Sequence, residues 1–78
     1  MKQEPGIPAS VVENAIRHGL SPTRAWREHL QLTQAEVAKG MGITLGAYAQ
    51  LESKTSIRAS SRIKVARALG IYASQLDF

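Results

Sequence analysis

The residues with the clearest chemical content are cations. From Lys54 to Arg67 the chain carries Lys54, Arg58, Arg62, Lys64 and Arg67 and no acidic residue, whereas residues 1–53 balance five Lys/Arg against five Glu. An uncompensated run of this kind suits a polyanion, because Lys and Arg contacts to phosphate dominate sequence-independent nucleic-acid affinity. The bland reading of the same run is a solvated basic helix face. Groups suited to catalysis or metal binding are not assembled. His18 and His29 lie far apart in helical phase and lack a clustered carboxylate or cysteine partner. Glu13, Glu36 and Glu28 fall where helix capping or surface pairing accounts for them. Gly40-Met41-Gly42 is followed by no Gly-Lys-Ser/Thr, so it reads as a helix terminus and not a phosphate loop. The expectation is a protein that is not an enzyme, with no metal, no cofactor and no small-molecule substrate.

The elements that must position this chemistry are short. Seventy-eight residues make one domain, and a chain of this size buries only about 60–65% of its unfolded surface, so the core is thin. An apolar fraction of 44% with 21% charged residues argues against disorder. The absence of cysteine removes disulfide and thiolate-metal chemistry. No stretch approaches the ~18 uninterrupted apolar residues of a membrane span, and the N-terminus has no apolar core of a signal peptide. A soluble cytoplasmic protein with no membrane partner is expected.

In chain order, Pro5, Gly6 and Pro8 mark residues 1–9 as a flexible tail. Ser10 and Glu13 have capping-box spacing and predict a helix over 10–18, ending near Gly19, with Val12, Ala15, Ile16 and Leu20 as an apolar stripe that needs a core or a partner. Ser21-Pro22 starts a second helix that runs through Leu30, with Trp26 in the core. Thr33 and Glu36 repeat the capping box ahead of Gln34–Ser53, two amphipathic helices hinged at Gly42, the second capped by Thr44. Val37, Ala38 and Met41 before the hinge, then Ile43, Tyr48 and Leu51 after it, form one inner side, and so short a turn forces a steep crossing. A helix near Ser60–Leu69 ends at Gly70. The last residues leave Ile71, Tyr72, Leu76 and Phe78 as an apolar cluster that closes the core or makes a dimer contact. Residues 10–78 thus form one domain with an extra N-terminal helix.

The stretch LTQAEVA, the turn Met41-Gly42-Ile43, then Tyr48, Leu51-Glu52 and the later VARALGI resemble the lambda-repressor-like Xre/Cro helix-turn-helix family over about residues 22–78. The resemblance implies an all-α, compact five- to six-helix bundle whose central helix-turn-helix sets one helix on the DNA backbone and the next in the major groove. It implies phosphate contacts from Gln34, Lys54, Thr55 and Arg58, joined by Arg62. It implies base readout by Thr44, Leu45, Gly46, Ala47, Ala49 and Gln50, of which Gln50 has the chemistry to pair with adenine. Arg27 and Glu52 match a structural ion pair of the family.

Leu45, Gly46 and Ala47 stand where relatives carry polar residues, so either specificity falls on Gln50, thymine-methyl contacts by Leu45 and Ala47, and DNA shape, or the motif has drifted away from reading DNA bases. Ser53-Lys54 replaces the family's usual Asn-Gly. The leader IPASVV and the segment HGLSPTRAWREHLQLTQAEVA are similar to regulators that act as antitoxins or autoregulators of toxin–antitoxin operons. The function implied is a DNA-binding transcriptional regulator, a repressor binding a two-fold operator as a homodimer on double-stranded DNA. The alternative is a protein-interaction module that binds a cognate toxin or assembles with itself, using Val12, Ile16, Ile71, Tyr72, Leu76 and Phe78.

Overall fold

Side-chain caps set three of the helix starts. The Ser21 hydroxyl accepts from the Arg24 amide at 3.2 Å, the Thr44 hydroxyl from the Ala47 amide at 3.1 Å, and Thr33 and Glu36 form a reciprocal capping box. In the computed structural model, which describes residues 5–78, these signals yield α1 (Ala9–His18), α2 (Pro22–His29), α3 (Gln34–Met41), α4 (Leu45–Ser53) and α5 (Ala59–Leu69), then a 3-10 turn at Ala73–Leu76. All regular structure among the described residues is helical, and none of these helices is long and apolar enough to cross a membrane. Gly42 holds φ at +69° between α3 and α4, a left-handed conformation that costs a residue with a Cβ about 1–2 kcal/mol. The Ile43 amide then bonds back to the Ala38 carbonyl at 3.0 Å and closes the turn.

The core lies where the five helices converge. Tyr48, Val37, Val11 and Val65 are its largest fully enclosed side chains, and Trp26 is buried with its indole N–H donating to the Gln75 carbonyl at 2.7 Å. Gln75 is itself buried. Its side-chain amide donates to the Gly6 carbonyl at 2.9 Å and its side-chain oxygen accepts from the Tyr72 amide at 2.9 Å, so Gln75 joins both ends of the described chain through its side chain and holds them to α2 through its main-chain carbonyl.

Several sequence expectations are corrected. The Ser10–Glu13 capping box does not form, because Pro8 turns the chain into α1 one residue earlier and its carbonyl accepts the Val11 amide at 3.0 Å. In that phase Val11 and Ala15 face the core, Val12 is half-buried and Ile16 is 77% exposed. Of the residues expected in a flexible tail, Ile7 packs on the core and Gly6 holds the Gln75 bond, while 1–4 lie outside the described residues. Ile43 projects outward at the turn. Leu76, offered as a partner contact, is 6% exposed and belongs to the core, and Ile71 packs against it; Tyr72 and Phe78 remain exposed.

Candidate nucleic-acid interface

The geometry of the paired helices is set from beneath by one carboxylate. Glu52, near the end of α4, is 3% exposed and accepts Arg27 Nε at 2.6 Å, Arg27 Nη2 at 3.0 Å and Gln34 Nε2 at 3.1 Å. Arg27 also donates to the Leu32 carbonyl at 2.8 Å, and the Ser21 hydroxyl donates to the Glu52 carbonyl at 2.5 Å. Three helices, α2, α3 and α4, are therefore joined at a single forked ion pair, the arrangement a planar guanidinium favours. Burial alone would push the Glu52 pKa up. The hydrogen bonds from Arg27 and Gln34, helped by the nearby Tyr48 hydroxyl, outweigh that and hold it below the usual carboxylate range, while the bond to Glu52 raises Arg27 above its ordinary value. Tyr48 is fully buried beside this pair. Burial first, then Glu52, drive its pKa upward, so it stays a neutral phenol, although its hydroxyl lacks a well-aligned hydrogen bond.

Above this support, the first turn of α4 faces outward. Thr44, Leu45, Gly46, Ala47 and Gln50 are exposed, and Ala49 is half-buried. The Thr44 hydroxyl oxygen is engaged as a cap, which leaves its O–H proton and its methyl group available at the surface. Leu45 is 51% exposed, and a Cβ added at Gly46 would meet nothing, which leaves an apolar, closely approachable surface with Gln50 as its free amide. Gln34, at the first position of α3, is half-buried. One of its side-chain N–H groups faces Glu52, and the other, with the unpaired main-chain amides of the first turn, is available to an anion.

The connection after α4 supplies the cations. Lys54 ends α4 and Arg58 precedes α5; both line a hollow with Leu51, Ser56, Ile57 and Ser61. Lys54 and Thr55 also border a second cavity with Arg62, on the side of Thr23 and Asp77. Lys54 thus belongs to both hollows, with Arg58 in one and Arg62 in the other. Lys64 and Arg67 stand on the exposed surface of α5.

His18 ends α1, and the His29 ring packs edge-on against Trp26 with centroids 5.7 Å apart. Two links escaped the sequence reading. The Gln34–Glu52 bond and the Ser21–Glu52 bond join positions 18 and 31 residues apart, and no local pattern marks either. The Ser at position 21 was legible as a cap, but its second bond depends on how α2 meets α4.

A family model described as helix-turn-helix matches residues 24–76, more than half of the chain, from within α2 to the end of the 3-10 turn. Neither curated proteins nor solved structures gave a match.

Proposed function

Because the chain belongs to the lambda-repressor-like helix-turn-helix family of DNA-binding regulators, we propose that it binds double-stranded DNA sequence-specifically and represses transcription as a dimer on a two-fold operator. The observation that carries this reading is the exposed first turn of α4 standing beside the hollow that Lys54 and Arg58 share. A helix of these dimensions fits the major groove, and cations flanking its far end fall where backbone phosphates run. Gln34, Lys54, Thr55, Arg58 and Arg62 fix the register through phosphates. Gln50 reads a base edge, while Leu45 and Ala47 touch thymine methyl groups across the gap that Gly46 leaves.

Selection of bound duplexes from a random library tests the reading. Enrichment of a two-fold symmetric site is expected, and retention of duplexes without any sequence preference contradicts it. A second reading, a toxin-binding or self-assembling module that no longer reads bases, draws on the apolar character of Leu45, Gly46 and Ala47. Titration with the chain's own promoter DNA, followed by gel shift and by particle size, separates the two.

A further inference from the structure

The outward face of α1 carries a pattern that is complementary to itself. Val12 and Ile16 are one helical turn apart, Val12 half-buried and Ile16 77% exposed. Glu13 and Arg17 repeat the same spacing along one flank of that stripe, both exposed. Arg24 and Glu28, also one turn apart, pair at 2.7 Å in α2, yet Glu13 and Arg17 make no ion pair among the described residues. Ile16 further walls a shallow apolar groove with Ala15, Leu20, Pro22, Thr55 and Phe78. α1 precedes the region matched by the family model, which begins at residue 24 within α2.

We infer that α1 is the face on which two copies of the chain associate, antiparallel about a two-fold axis level with Asn14 and Ala15. A two-fold axis perpendicular to the helices reverses their direction but keeps each flank on its own side. Ile16 of each copy then lies against Val12 of the other, and Arg17 stands beside Glu13 of the other, so both apolar and charged groups find complements. A parallel arrangement, whose two-fold axis runs along the helices, puts the charged flanks of the two copies on opposite sides of the contact, so neither charge meets its complement. A uniformly acidic or uniformly basic partner satisfies only one of the two charges. The second copy is the occupant that satisfies both, and Leu20 and Phe78 extend the apolar contact beyond the helix.

The inference rests on the dimeric part of the proposed function and not on its DNA contacts, so it is tested without DNA. Sedimentation of the full chain across a concentration series is compared for the unchanged protein, Glu13→Arg, Arg17→Glu and the double reversal E13R/R17E, with thermal unfolding as the check on folding. Each single reversal is expected to weaken dimerisation by about tenfold or more, since it sets like charges together, and the double reversal to restore it. Ile16→Arg, at an exposed position that does not support the core, is expected to abolish the dimer while leaving helicity intact. A chain that stays monomeric at its highest attainable concentration overturns the inference. So does a dimer whose affinity is unmoved by the reversals and by Ile16→Arg.

Discussion

Glu52 is the residue on which the interface geometry turns, because its carboxylate meets donors from both α2 and α3. Removing one member of a buried pair leaves a charge without compensation, so Arg27→Met or Glu52→Gln is expected to cost about 3 kcal/mol, read by urea unfolding. Substituting both members by apolar residues together is expected to cost less than the two single changes added. The sign of the pH effect follows from the lowered Glu52 pKa. Its contribution is complete above the unfolded carboxylate value of about 4.3 and is lost as pH falls through the lower folded value, so stability declines below about pH 4. Glu52→Gln should flatten that part of the profile. On the outer surface, Gln50→Ala is expected to lower discrimination between a selected site and random duplex by about 1–3 kcal/mol, whereas Arg58→Ala weakens both alike. Equal effects of the two changes on discrimination would reverse these assignments. The Arg27–Glu52 pairing was anticipated through family resemblance, while the third partner, Gln34, was not, because a bond between α3 and the end of α4 has no signature in local spacing.

At the level of elements, α4, the second helix of the helix-turn-helix, has a weak first turn. Gly46 lies inside it with open space where a Cβ would stand, so Gly46→Ala is expected to raise stability by about 1 kcal/mol, seen as a higher midpoint of thermal unfolding. Gly42→Ala should act in the opposite direction by a similar amount, since its φ of +69° disfavours a side chain. Helix order and most ends were legible because caps and left-handed glycines are short-range chemistry. The start of α1 was not, since Ser10 and Glu13 had the spacing of a cap while Pro8 already turned the chain. One residue of misplaced phase exchanged the roles of Val11 and Val12, the inward and outward members of that helix. The buried place of Leu76 was hidden for a different reason. It depends on Gln75 drawing the 3-10 turn against Trp26, a contact across 49 residues of sequence.

For the molecule as a whole, charge is divided by place more than by amount. The net +4 is concentrated after α4, while the helix-turn-helix before it is close to balanced. The core positions of that motif were readable because they must keep helical phase, whereas the outward residues answer to a ligand and keep no period, which is why fold was clearer than readout. Whether α4 and the Lys54–Arg58 connection grip duplex DNA is read by fluorescence anisotropy of a labelled, selected duplex titrated with the chain across a salt series. Engagement of phosphate by Lys54, Arg58 and Arg62 predicts that the logarithm of affinity falls linearly with the logarithm of salt concentration, with a slope of about −3 per protomer. Affinity that does not change with salt, or a duplex that is not bound even at low salt, would contradict it.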